Sequence, residues 1–353
     1  MKSSVLYTDI NEFCTAFPHS ERLKECKILI TGSTGLVGSM LLRCLLRLND
    51  LYALGLSITC PVRNIRKVWD VFSDLQVDAP VNWVECEDIC LLSADEIGFP
   101  DYVFHLAAPT ASAYLVEHPV ETLVTSLIST RNLLDFMRGN DKLRAFVYVS
   151  SLESYGTVVE APDAPLTEDF QGYVNPLAPR SCYPMGKRAA ECLCAAYATE
   201  YNVPTRIARL TQTFGSGVHA DDKRVFAQFA RSILKKENIV LHTEGESAKP
   251  YCYITDTISA LIYVALFGKN GEAYNVANAS SYISIREMAE MLCREFSPST
   301  NVRIELHPER GYAPTTFLPL DTTRLEALGW HPQVGLREMF RRLMEWLGEN
   351  CQS

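Results

Sequence analysis

Short, nearly continuous apolar runs punctuate the first half of the chain, and stretches with helical spacing lie between them. Lys27-Ile28-Leu29-Ile30-Thr31 comes first. Met40, Leu41, Leu42, Leu45, Leu46 and Leu48 follow at intervals that one helix face collects. Leu56 to Cys60, Val81 to Glu85 and Tyr102 to Leu106 repeat the strand type. A helix with Val120, Leu123, Val124, Leu127, Leu133 and Leu134 leads to a fifth strand, Ala145 to Val149. Apolar strands interleaved with helices imply a parallel sheet covered on both faces. After residue 214 the rhythm loosens into prolines, glycines and mixed short segments. The pattern predicts an α/β fold, a Rossmann-type doubly wound parallel sheet with a smaller C-terminal α/β substrate domain. Residues 1–213, with a return near 251–268, form the first unit; 214–250 and 269–353 form the second. Residues 1–25 read as a polar, partly amphipathic lead-in.

The chain of 353 residues is 47% hydrophobic, ample for a substantial core. Its net charge of -9 argues against a nucleic-acid binder, which would carry a basic stripe. The 12 cysteines have irregular spacing, and Cys192-Leu193-Cys194 is too tight for paired metal ligands. They read as reduced core residues of a cytoplasmic protein without a metal. The N-terminus lacks the pattern of a signal peptide. The longest apolar stretch, Ile258 to Phe267, falls short of a bilayer of ~30 Å, so no membrane partner is expected.

Candidate chemistry begins at the first strand's end. Gly32, Gly35 and Gly38 have the spacing G-x-x-G-x-x-G between a strand and a helix. A tight turn, a close approach to pyrophosphate and close helix packing each need a residue without a Cβ. Thr34, Leu36 and Val37 then offer the backbone of a helix N-terminus to a dinucleotide. An NAD site places an acid after the second strand. Cys60-Pro61-Val62-Arg63-Asn64 stands there instead. Arg63 either pairs with a 2′-phosphate, which favours NADP, or is a solvated loop cation. Asp88, with Ile89 beside it, is a candidate for the adenine edge or a loop-capping acid.

Tyr183-Pro184-Met185-Gly186-Lys187 is Y-x-x-x-K, with Tyr183 and Lys187 on one helix face. An ammonium there lowers the phenol's pKa, so that it can act as a base. Ser151 directly follows the fifth strand, where a doubly wound sheet puts its site. It completes a Ser-Tyr-Lys triad.

These residues resemble the extended short-chain dehydrogenases, and most closely the UDP-glucuronate decarboxylases. Phe104-His105-Leu106-Ala107-Ala108-Pro109 is similar to that group's cofactor-side loop. Asn175 to Tyr183, with Gly186, Lys187, Arg188, Ala190 and Glu191, is the most specific stretch. Leu328-Gly329-Trp330-His331-Pro332 looks like the family's closing turn. The resemblance implies a nucleotide-sugar substrate oxidised transiently at C4, and a homodimer formed through two helices. Tyr183 would be the base, Lys187 its tuner, Ser151 a hydroxyl partner, and Glu153 would lie near C5 and C6. Leu106, Ala107 and Ala108 would line the dinucleotide, and Pro109 the substrate. Gln212, Lys249, Arg224 and Arg310 would be further substrate contacts, both arginines on the diphosphate.

This chain departs from the pattern in places. Leu152 stands where decarboxylases carry Ser and 4,6-dehydratases Asp, which argues against dehydration. Lys249 replaces an arginine, keeping the charge but losing its fork. Gln212 replaces an asparagine, and Ser216-Gly217 a Pro-Arg pair. A 4-epimerase or an NADPH-dependent 4-keto-sugar reductase is the alternative reading. A non-catalytic regulator is a third, against which the intact Ser151, Tyr183 and Lys187 speak.

Overall fold

The computed structural model describes residues 4–75, 79–307 and 314–350. Its first element lies in the stretch read from sequence as a lead-in. Helix α1 (Ser4–Ala16) buries Val5, Leu6, Ile10, Phe13 and Cys14, a helical stripe facing inward. The alternation then follows the pattern. β1 (Lys27–Thr31), α2 (Leu36–Tyr52), β2 (Ser57–Val62), α3 (Ile65–Val71), β3 (Val81–Glu85), α4 (Ala94–Ile97) and β4 (Tyr102–His105) come first. α5 (Ser112–Glu117), α6 (Pro119–Met137), β5 (Ala145–Ser151), α7 (Cys182–Tyr201) and β6 (Thr205–Leu210) complete this half.

The second half is more mixed. It runs β7 (Gln212–Phe214), α8 (Val225–Lys235), β8 (Ile239–Leu241), β9 (Ala248–Tyr253), α9 (Ile254–Phe267) and β10 (Ala273–Val276). β11 (Asn278–Ser284), α10 (Ile285–Phe296), β12 (Val302–Ile304), α11 (Thr323–Glu326) and α12 (Leu336–Asn350) follow.

The main sheet has seven strands in the order β10-β6-β5-β4-β1-β2-β3, all neighbours parallel. β10 lies within 269–353, the stretch read from sequence as part of the smaller unit, yet it pairs with β6. The strand order reverses between β1 and β4, which opens a crevice at their C-terminal ends. One sheet face packs against α2 and α9 through Ile28, Ile30, Val147 and Ala208. The other packs against α6 and α7 through Leu29, Val103, Phe146 and Ile207. Smaller sheets, β11-β9-β7 and β12-β8, carry the rest.

Two buried carboxylates tie the ends of the chain to this frame. Asp9 of α1 pairs with Arg342 of α12 at 2.8 Å and accepts from Ser216 and Tyr253. Asp256 of α9 accepts from the Gln333 and Val334 amides, both at 3.0 Å, while Trp330 donates to its carbonyl. Among the described residues no helix is long and apolar enough to cross a membrane.

A third buried carboxylate fixes α7. Glu191 takes two nitrogens of Arg209 from β6, the shorter contact at 2.7 Å. Ser150 of β5 donates to the same carboxylate at 2.5 Å. Arg209→Met alone strands that carboxylate and is expected to cost about 3–5 kcal/mol, while Arg209→Met/Glu191→Leu recovers most of it. Urea denaturation of the three proteins measures both effects. An Arg209→Met protein as stable as the parent would show that the pair does not anchor α7.

Candidate active site

The glycine turn lies at the C-terminal end of β1. Gly32 has φ +69, and a Cβ there would meet the Ala107 nitrogen at 2.9 Å. A Cβ on Gly38 would come within 2.2 Å of the Gly32 carbonyl oxygen, so α2 reaches β1 only through a glycine. Gly35 caps α2 with no side-chain hydrogen bond, leaving the amides after it open to an anion. Leu36 and Val37 open α2, and Thr34 lies in the turn before it. Thr31 Oγ1 accepts from the Ala107 amide at 3.2 Å, tying the turn to the loop of Leu106, Ala107, Ala108 and Pro109 after β4.

His105 holds this corner from below. Its ring bridges Thr31 at 2.7 Å and Thr130 of α6 at 3.1 Å. Burial, and secondarily the charge of Lys187, pushes its pKa down to about 3, so it stays neutral.

Across the crevice, β5 and α7 bring together the predicted triad. Tyr183 and Lys187 stand one turn apart on α7, both buried. Lys187 Nζ donates to the Val149 carbonyl at 2.8 Å and lies 4.9 Å from the Tyr148 ring centre and 5.7 Å from that of Tyr183. Desolvation pulls its pKa down to about 8, with Glu191 opposing. Ser151 ends β5, and its Oγ accepts from the Glu153 amide at 3.2 Å.

The expected depression of the tyrosine is absent here. Burial first, then the Glu153 charge, pushes Tyr183 up to about 12, while Ser151 and Arg180 pull the other way. Lys187, 5.7 Å from the ring centre, is not among the groups that set this balance. Glu153 itself pairs with Arg180 at 3.1 Å, and both are partly exposed. The turn carrying Glu153 is fixed by Arg188, which donates to the carbonyls of Ser154, Tyr155 and Gly172.

Other predicted contacts are spread wider. Gln212 begins β7, next to Tyr251 of β9 in register. Lys249 sits half-buried on β9. Arg224 precedes α8 and is forked onto Asp222 at 3.0 and 2.5 Å. It is thus already engaged by a local carboxylate. Asp88 accepts from the Cys90 amide at 2.9 Å, which is the capping role, and Ile89 follows it half-buried. Arg63 is exposed at the end of β2, with no ion pair among the described residues. Arg310 lies outside the described residues. Leu152 is turned into an apolar cluster with Tyr155, Leu166, Ala277, Leu318 and Leu320.

Sequence reasoning assigned no role to His105, Arg180, Arg209 or Glu191. A histidine closing Tyr-Val-Phe-His, and an arginine inside Thr-Arg-Ile-Ala-Arg-Leu, are polar interruptions of buried strands and signalled partners there.

The fold and this constellation define a dinucleotide-binding α/β protein with a tyrosine–lysine pair at the sheet's C-terminal edge. The model of the "NAD dependent epimerase/dehydratase family" matches residues 28–277, and the chain belongs to that family. It is 29% identical to UDP-glucuronic acid decarboxylase 4 of Arabidopsis thaliana over 325 residues, 91% of this chain and 68% of that one. It is 28% identical to UDP-glucuronic acid decarboxylase 1 of Danio rerio over 334 residues, 92% of this chain and 73% of that one. Among solved structures, UDP-glucuronic acid 4-epimerase from Bacillus cereus superposes with a TM-score of 0.73 at 21% identity, covering 92% and 99% of the two chains. DesIV, a dTDP-glucose 4,6-dehydratase from Streptomyces venezuelae, gives 0.74 at 21%, covering 92% and 98%. These two share the fold.

Gly38→Ala tests the turn. A methyl group 2.2 Å from a carbonyl oxygen forces α2 away from β1, so the melting temperature should fall by several degrees. Calorimetry reads it, with Gly139→Ala, where a Cβ meets nothing within 4 Å, as the control. An unchanged melting temperature in Gly38→Ala would mean that the turn tolerates a side chain.

Proposed function

We propose that this protein is a nucleotide-sugar-modifying enzyme of the UDP-glucuronate decarboxylase type. The observation that carries the reading is Tyr183 and Lys187 on α7 facing Ser151 at the end of β5, across from the glycine turn. The relatives named above support the choice of substrate.

Residues 1–213 and 251–268 would hold the dinucleotide; 214–250 and 269–353, β10 excepted, would hold the nucleotide sugar. The glycine turn fits NAD, with an open helix N-terminus for its pyrophosphate and Leu106, Ala107 and Ala108 alongside. NAD, when bound, supplies a hydride acceptor at C4 and a positive nicotinamide charge. That charge acts in the direction Tyr183 requires, since burial holds its phenol near 12. Tyr183 removes the proton of the sugar 4-hydroxyl, Ser151 hydrogen-bonds the same oxygen, and Lys187 holds the ribose. The 4-ketone would leave the C6 carboxylate β to a carbonyl, so that carbon dioxide departs with its bonding electrons entering that carbonyl; a proton taken up at C5, the hydride returned to C4 and the Tyr183 proton returned to the C4 oxygen would then give the pentose with no net redox change. Glu153 and Lys249 are the proposed neighbours of that carboxylate. Gln212 and Arg224 are the proposed diphosphate-side contacts.

The exposed Val120, Leu123, Val124 and Ile128 on α6, beside Cys192 and Ala196 on α7, support a homodimer formed through these two helices.

Arg63, exposed after β2 and without an ion pair among the described residues, favours a second reading, an NADPH-dependent 4-keto-sugar reductase or a 4-epimerase. The purified protein is first examined for retained dinucleotide and then incubated with UDP-glucuronate. A product lighter by carbon dioxide, formed without added NAD(P)H, is expected by mass spectrometry. No turnover with bound cofactor present would sink the decarboxylase reading. Tyr183→Phe should lower kcat about 10²–10⁴-fold with nucleotide-sugar affinity unchanged, as measured by single-turnover assay and calorimetry.

A further inference from the structure

An ion pair, Arg180 with Glu153, lies beside Tyr183, and Lys249 lies within reach of the Glu153 charge. Arg180 comes from the turn Pro179–Ser181 ahead of α7, and its guanidinium nitrogen lies 3.1 and 3.3 Å from the two Glu153 oxygens. Its guanidinium carbon is 5.9 Å from the Tyr183 ring centre. Lys249 comes from β9. Packing links its strand to the Glu153 turn: Leu152 and Leu318 share one apolar cluster, and the Leu318 amide donates to the Ala248 carbonyl at 3.0 Å. The charges felt by Lys249 are those of Glu153 and Arg224. Arg224 is clamped by Asp222 at 2.5 Å. Among the described residues Lys249 forms no ion pair, and Glu153, already paired with Arg180, is the carboxylate whose charge acts on it.

We infer that Arg180 is a specificity-determining residue: by neutralising Glu153 it leaves Lys249 available for an anionic sugar, so that the Arg180–Glu153–Lys249 cluster selects a nucleotide sugar bearing a carboxylate. The inference rests on the substrate reading above. Without Arg180, Glu153 becomes the natural partner of Lys249. The cluster is then neutral, and an incoming carboxylate meets a carboxylate. Arg180 and Glu153 are each about two-fifths exposed, 42% and 43%, so the pair is screened by solvent and held loosely. Arginine suits this task because its charge persists at every working pH.

The test uses the whole protein as purified and two probes with one nucleotide, UDP-glucuronate and UDP-glucose, measured by calorimetry. The parent should bind the acidic sugar more tightly. In Arg180→Leu that preference should fall by about tenfold, while UDP itself binds as before. Arg180→Leu/Glu153→Gln should restore the preference, because Lys249 is freed again. A purely structural Arg180 would not be rescued by removing Glu153. Arg180→Gln replaces Arg180→Leu throughout if the leucine variant unfolds. An undiminished preference in the single variant, or no recovery in the double, overturns the inference while leaving the substrate reading intact. A parent protein indifferent to the two sugars instead overturns the carboxylated-sugar reading, and this inference with it.

Discussion

The site depends on one buried ion pair, Glu191 with Arg209. A Ser-Tyr-Lys arrangement needs a strand end and a helix in one register, and a helix that slips by a turn moves its side chains by about 5.4 Å. Apolar packing of α7 on the sheet is non-directional and tolerates such slips. The carboxylate of Glu191 tolerates none, because Arg209 of β6 and Ser150 of β5 both converge on it. Glu191 lies one turn beyond Lys187 and two beyond Tyr183 on α7. Pinning it to Ser150 therefore sets Tyr183 against Ser151, the next residue on the strand. A buried pair of this kind contributes little net stability over an apolar substitute, so its value lies in the single alignment it permits.

Around this anchor, electrostatics is arranged by burial. His105 is kept neutral and serves as a rigid bridge between β1, β4 and α6. Lys187 is pulled down to about 8 and Tyr183 pushed up to about 12, so desolvation acts on both members of the pair toward their uncharged forms. Turnover by the proposed chemistry then requires charge brought by the bound reactants. The loop after β4 and the glycine turn share the Thr31 hydroxyl, so the dinucleotide side of the crevice is braced from two strands.

The sheet was legible because its strands are apolar on both faces and its first turn is written in glycine. Five strands fall within a residue or two of their predicted places, and α2 and α6 contain the predicted helical positions, while the short α3, α4 and α5 lack a long apolar stripe and were not legible. The second half was less so, since β10 is four residues long and its membership of the main sheet depends on pairing with β6. α1 was hidden because Asp9, Glu12 and the serines and threonines around them dilute its apolar stripe. Only the partners Ser216, Tyr253 and Arg342 show why an aspartate can be buried there. The triad was legible as spacing, but the sign of the Tyr183 shift was not. It is set by burial and by Glu153, and neither is a property of Y-x-x-x-K. Asp88 and Arg224 were visible as charges, while their local engagement, a capped amide and a forked Asp222, depends on backbone geometry.

Leu152 shows how a departure in sequence can be read through packing. As a letter it removes a proton donor from the turn after β5. In the structure it is the apolar link between that turn and the segment Phe317 to Leu320, which hydrogen-bonds to β9 beside Lys249. A polar residue at this point would have to find a partner in a cluster of Tyr155, Leu166, Ala277 and leucines, or remain unpaired at a cost. The leucine instead couples the position of Glu153 to that of Lys249. Dehydration at C6 needs an acid for the leaving hydroxyl, and this arrangement offers none at residue 152. Loss of carbon dioxide from a β-keto acid needs no such acid. What it asks of the protein is a held carboxylate and a C4 carbonyl to receive electrons. A turn that gives up a proton donor at residue 152 is compatible with that demand.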